Sequence, residues 1–254
     1  VLYGGRALFY IARIFCVLLF FCMDQLKSTP SWVLPVAIIA AGIIVSIALY
    51  YVRVNSEVEK AAGNPAVVRP VTPNDHLMGN PTAKVMVVEY GDIDSEHTKD
   101  FNAIMQQIMT EYADSGEVAW VFRHLPIVAL HEYSAMHASA AECVSSIAGP
   151  EAFWGFLNGI AAQAPGSNQF DPRDYETITR GLNVPTDILN QCISRGTFEQ
   201  RVQDDYQNAM LAGATGAPYL VLLVKGKEPI TIDGALPYTS MKKVLEEALK
   251  RAGA

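Results

Sequence analysis

One segment restricts the fold of this chain more than any other: Val85 to Phe101, VMVVEYGDIDSEHTKDF. Lys84 to Tyr90 is a nearly continuous apolar run, as expected for a central strand covered on both faces. An acidic turn follows, Gly91-Asp92-Ile93-Asp94, and a helix starts near Ser95. Phe101, Ile104, Met105, Ile108, Met109 and Tyr112 recur at helical spacing, which predicts an amphipathic helix from about Ser95 to Ala113. Gly116 follows its end. Val118 to Arg123 then reads as a second strand. Strand, helix, strand in succession gives a right-handed parallel unit, so the fold class is α/β.

The middle of the chain is helical. Tyr133, Met136, His137, Ala140, Ala141 and Val144 share one face; Phe153, Trp154, Leu157 and Ile160 share another. Asp171-Pro172 with Asp174 combines an N-cap, a proline at the first helical position and an acidic first turn. Gly181 and Gly196 read as helix stops. Strands return at Tyr219 to Val224 and Pro229 to Asp233, joined at Lys225-Gly226-Lys227. Ser240 to Ala252 is a closing helix with Met241, Val244, Leu245, Ala248 and Leu249 inward.

The N-terminal part differs in kind. Trp32 to Val52 carries about 21 residues without a charge, enough for roughly 30 Å of helix, and reads as a transmembrane anchor. Tyr50 and Tyr51 form an aromatic edge and Arg53 ends the span. Residues 1–22 form an earlier apolar run that contains Arg13, Cys16 and Cys22. Two readings stand: a start placed too far upstream, with Met23 the true start and residues 23–54 a short tail plus anchor, or a genuine first span. The first is adopted, which makes the protein single-pass. The charges do not decide orientation, since Lys27 precedes the span while Arg53 and Lys60 follow it. Residues 55–77 are polar, carry Pro65, Pro70 and Pro73, and read as a linker. Residues 78–254 are the folded domain. The net charge of −7 argues against a nucleic-acid partner.

The strand, turn and helix at Val85–Phe101 resemble the active-site region of the DsbA-like branch of the thioredoxin superfamily. Other stretches follow in that family's order. They are Trp120-Val121-Phe122-Arg123-His124-Leu125-Pro126, Glu142-Cys143, Phe153-Trp154, Asn190-Gln191-Cys192, Gly213-Ala214-Thr215-Gly216-Ala217-Pro218 and Ile232-Asp233-Gly234-Ala235-Leu236-Pro237. The resemblance covers about residues 78 to 252. It implies a thioredoxin fold with a helical insertion at about 127–212 and a cis peptide bond before Pro218. It also implies protein-disulfide oxidoreductase chemistry at a Cys-Pro-x-Cys turn. Lys99 and Phe101 stand where the family has a basic residue and Phe, but the four motif positions read Ser95-Glu96-His97-Thr98. Dithiol exchange needs a thiolate attacker and a resolving sulfur, and hydroxyls supply neither.

The turn offers other groups with chemical potential. Asp94 and Ser95 suit an ordinary helix N-cap, and an acidic turn is ordinarily solvated. Ser95 with His97 offers a hydroxyl and an imidazole, but two residues apart at a helix start and without a third group. Asp92, Asp94, Glu96, His97 and His124 offer metal-ligand atoms with no recognisable ligand spacing. His76, His131 and His137 read as structural. No metal and no cofactor is expected. The loop at Ala217 and Pro218 presents, in the resembled family, a backbone edge that pairs with extended peptide, a role that needs no cysteine. Cys143 and Cys192, both on insertion helices, either form a structural disulfide or are two buried thiols.

The expectation is a membrane-anchored, extracytoplasmic, DsbA-like domain at the cell envelope. It lacks dithiol activity and retains binding of extended or unfolded polypeptide. Two alternatives stay open: an oxidoreductase acting with a partner thiol, and a scaffold in an envelope complex.

Overall fold

The computed structural model describes residues 64–253 continuously, and in the N-terminal part residues 35, 36, 38, 41–46, 48 and 49. Those N-terminal residues are helical, and Ser46 Oγ donates to the carbonyl of Gly42 at 2.8 Å. Among the described residues no helix is long and apolar enough to cross a membrane. Most of Trp32 to Val52, and all of residues 1–22 and 55–63, lie outside the described residues.

The domain is built on a five-stranded sheet: β1 (His76–Gly79), β2 (Val85–Gly91), β3 (Val118–His124), β4 (Tyr219–Val224) and β5 (Ile230–Asp233), in the order β1-β3-β2-β4-β5. β2 and β3 pair in parallel, as the strand–helix–strand reading requires, with Val87 opposite Trp120. The connecting helix α1 spans Glu96–Glu111. The other pairings are antiparallel.

β2 alternates between two cores. Val85 and Val87 face α1 and the closing helix α7 (Tyr238–Gly253), with Phe101, Met105, Trp120, Leu222 and Leu245. Val88 and Tyr90 face the opposite side, with Val121, Ala209 and Ala212. Both faces of the central strand are therefore covered, which is why its sequence is apolar with almost no polar interruption.

Between β3 and β4 lies the helical insertion: α2 (Ser134–Ala148), α3 (Pro150–Gln163), the short α4 (Glu176–Thr179), α5 (Thr186–Ser194) and α6 (Glu199–Ala212). Asp171 caps a single 3-10 turn, accepting from Arg173 N at 2.9 Å, rather than opening a long helix. Gly196 is left-handed just beyond α5, as a helix stop should be, but Gly181 is not the stop expected of it. It sits within a 3-10 turn, and Asn183 takes the left-handed conformation there. Cys143 of α2 and Cys192 of α5 are disulfide-bonded, with Cα atoms 6.0 Å apart.

Residues 64–75, read from sequence as part of a linker, lie against α6 and β3. Asn64 N donates to Leu211 O, Arg69 N to Asn208 Oδ1, and Asn208 Nδ2 to Val67 O. The buried Arg123 guanidinium donates to the carbonyls of Arg69 and Pro70 and, through Nε, to Asp75 at 2.8 Å. An extended segment without apolar periodicity is held here by polar side chains from elsewhere, a signal that periodicity does not carry.

Candidate functional site

The carboxyl ends of β2 and β3 and the start of α1 meet at the acidic turn. Gly91 is required by space. A Cβ there would lie 2.6 Å from Phe122 Cε2 and 2.9 Å from Thr98 Cγ2. That close approach lets the turn fold back onto α1.

The turn is buried, contrary to the solvated reading of its sequence. Asp92, Asp94, Ser95 and Thr98 are all buried, while His97 is exposed. Each carboxylate is consumed by a partner. Asp92 accepts from its neighbour Asp94 N (3.0 Å), from Ile127 N (2.7 Å) and lies 2.9 Å from His131 Nδ1. Asp94 lies 2.9 and 3.0 Å from His137 Nδ1. Thr98 Oγ1 accepts from Asp92 N.

Two expectations are corrected by this geometry. Ser95 takes the N-cap backbone position but its side chain makes no cap hydrogen bond, and the Asp94 carboxylate is turned to His137. The five-residue ligand set also disperses. Asp92 and Asp94 bind imidazoles and backbone, Glu96 and His97 lie at the surface side of α1, and His124 joins a different cluster. Ser95 and His97 do not form a pair, since one is buried and the other exposed.

Beneath the turn lies Glu89, a charge in the middle of the apolar strand that the sequence reading did not single out. It faces the α1 side of the sheet, fully buried. Trp120 Nε1 donates to it at 2.8 Å. The Asn102 side-chain amide lies against both of its oxygens, at 3.0 and 3.2 Å. Burial pushes the carboxyl up to about 8, and the Trp120 bond only partly opposes this, which favours the neutral acid at pH 7.

Lys99, one turn into α1, is buried and donates to three backbone carbonyls, Ala164 (2.7 Å), Gly166 (3.2 Å) and Asn168 (2.9 Å). It pins the segment after α3 against the site helix. Burial pushes its ammonium down, against the opposing pull of Asp94 and Asp92.

At the β1 edge of the sheet, a second cluster forms around Glu142 of α2. His76 Nε2 lies 2.8 Å and His124 Nε2 3.0 Å from the same oxygen, Oε1. Burial alone would raise this carboxyl, but the two imidazole hydrogen bonds outweigh it and hold it well below the usual carboxylate range. His76 is pushed down, by burial first, against the pull of Glu142. His76, His124 and Glu142 are the three side chains that the described residues bring together with metal-ligand spacing. The sequence reading had no means to join them.

The loop before β4 carries the cis peptide bond, Ala217-Pro218. Pro218 O accepts from Gly234 N at 3.0 Å, whereas Ala217 makes no such backbone bond. Beside Thr215 and Gly216 opens a cleft of about 790 Å³ between the loop after β3, α2, α5 and α6, lined by Leu125, Pro126, Val128, Met136, Tyr206 and Met210 among others.

Comparison with known proteins agrees with this architecture. The family model Thioredoxin_4, described as thioredoxin, matches residues 71–247. The chain is 25% identical over 199 residues to disulfide bond formation protein D of Bacillus subtilis, covering 74% of this chain and 83% of that protein. It is 28% identical over 150 residues to Na(+)/H(+) antiporter NhaA 1 of Salinispora arenicola, 59% of this chain. The chain spans only 22% of the length of that antiporter. Among solved structures, BdbD of Bacillus subtilis superposes with a TM-score of 0.61 at 23% identity, covering 74% of this chain and 98% of that one. DsbA2 of Pseudomonas aeruginosa gives 0.60 at 22% identity, covering 70% and 96%. With the family model spanning well over half its length, the chain belongs to the thioredoxin family, and its fold is similar to those of the DsbA proteins.

Proposed function

We propose that this chain is a membrane-anchored DsbA-like domain that has given up dithiol exchange and binds extended polypeptide at the cell envelope. One observation carries the reading. The two positions that would hold redox sulfurs are Ser95 and Thr98, with Thr98 Oγ1 accepting a backbone hydrogen bond from Asp92, while the peptide-facing loop keeps its cis bond at Pro218. A hydroxyl is neither a competent attacker nor a leaving group for disulfide exchange near neutral pH.

Peptide binding is supported by the loop geometry. Ala217 carries backbone groups not committed to a neighbour, next to an apolar cleft, and main-chain pairing with side-chain pockets is the usual way an extended segment is recognised. The disulfide between Cys143 and Cys192 fits an oxidising compartment. The uncharged run from Trp32 to Val52 supplies the anchor to the lipid bilayer, and the similarity of the domain to a stretch of proteins named as antiporters fits a membrane setting.

Fluorescence anisotropy with labelled unfolded peptides tests the binding. Wild-type chain should bind saturably, and Gly216→Trp, which fills the cleft rim at a position with open space around its Cα, should weaken binding without unfolding the domain. Equal binding by both, or none by wild type, would remove the peptide reading.

A further inference from the structure

We propose that His76, His124 and Glu142 form a binding site for a borderline divalent cation such as Zn²⁺, closed by Arg201. Two imidazoles and one carboxylate are a donor set suited to such an ion. Their ligand atoms lie within 4.8 Å of one another, and all three side chains are buried. They come from β1, the end of β3 and α2, so each is held by a different element of the packed domain. Phe153 stacks on His76 with ring centroids 3.5 Å apart and meets His124 edge-on, which fixes both rings.

The position of Arg201 is the second observation. Its Nε lies 2.7 Å from Glu142 Oε1, yet the N–H is not directed at a partner and that buried nitrogen makes no hydrogen bond. Nη2 donates to Asn74 O and approaches His76 Nε2 at 3.4 Å. The guanidinium therefore fills the place of a positive charge beside Glu142 without the fork geometry a carboxylate–arginine pair normally adopts. Its side chain is 30% exposed, so it forms the solvent side of the cluster and can swing away.

Each imidazole uses Nε2 toward Glu142, so an ion bound at Nε2 requires the ring proton to sit on Nδ1. In the metal-free cluster the Glu142 carboxylate holds the proton on His124 Nε2, and the buried Nδ1 of that ring has no competing partner, so it can take the proton that an ion displaces. Binding then moves a proton from Nε2 to Nδ1 within the ring and displaces Arg201.

The purified full chain is titrated with Zn²⁺ by calorimetry and thermal unfolding, and with Co²⁺ by visible absorption. One equivalent should bind, raising the unfolding temperature and giving Co²⁺ bands without sulfur charge transfer, which separates this site from Cys16 and Cys22. His76→Gln should abolish the effect. Arg201→Gln removes a positive charge that competes with the cation for Glu142, and should tighten Zn²⁺ by about tenfold or more. Because loss of Glu142 would weaken the fold itself, the His76 and Arg201 variants carry the test. Absence of saturable one-equivalent binding in both wild type and Arg201→Gln overturns the proposal, as does binding that His76→Gln leaves unchanged or that Arg201→Gln fails to tighten.

Discussion

Glu89 and Glu142 are the same residue type, both buried, and their surroundings shift their pKa values in opposite directions. Glu89 meets an indole N–H and an amide, neither of which carries charge, and desolvation pushes it up to about 8. Glu142 meets two imidazoles, with a guanidinium beside them, and is held below the ordinary range. Burial is common to both, so the partner decides which form a buried carboxyl takes. The difference also divides the domain. The neutral acid lies under the turn where a redox pair would sit, and the ionised one ties β1, β3 and α2 together away from it.

The largest effect should come from breaking the ionised site. Glu142→Ala leaves buried imidazoles and the Arg201 charge without a counter-ion, and chemical denaturation should report a loss of about 3–5 kcal/mol. A loss under 1 kcal/mol would mean the cluster is solvated. The sign of its pH dependence follows from the lowered pKa values. The Glu142 contribution is fully present above its unfolded value of 4.5 and is lost as pH falls toward the folded one. His76, also lowered, begins to cost stability earlier, as pH falls through 6.5.

The disulfide anchors the neighbouring face of the same helix. It closes a loop of 49 residues, for which the chain-entropy model gives at most about 4 kcal/mol. Cys143→Ser, Cys192→Ser and the double change should destabilise by similar amounts, measured in one denaturation series. Additive single effects would contradict a bond between them.

Glu89 should respond in the opposite direction. Its folded pKa is raised, so its favourable contribution is present below 4.5 and is lost as pH rises from 4.5 through about 8. Glu89→Gln keeps an acceptor for Trp120 and removes the ionisation. It should change little at pH 4 and stabilise by on the order of a few kcal/mol above pH 8. A pH-independent difference would show that Glu89 is not neutral at pH 7.

These contrasts also mark what the sequence could reveal. The helices were legible because their apolar residues recur at a period of 3.6, and the central strands because they are short, nearly continuous apolar runs. The Ser95–Thr98 turn and the Ala217-Pro218 bond were legible through local motifs. The pairing of Cys143 with Cys192 stayed open until the packing of α2 on α5 was known. The burial of Asp92 and Asp94 was not legible, because their partners His131 and His137 come from 39 and 43 residues away. The Glu142 cluster was hidden for the same reason, since His76 lies 66 residues upstream. Glu89 does leave a signal in the sequence: a single carboxylate inside a strand otherwise built to be dry.

The domain has a thioredoxin fold with Ser95 and Thr98 at the start of α1, and the proposed loss of dithiol exchange rests on those two residues. The most direct measurement compares insulin reduction and thiol oxidation by the wild-type chain and by the Ser95→Cys, Thr98→Cys double variant. The account predicts background rates for wild type and measurable turnover for the double variant, whose new thiols would sit at the start of α1 above Glu89. Turnover by the wild-type chain, above background and independent of added cysteine at positions 95 and 98, would contradict it.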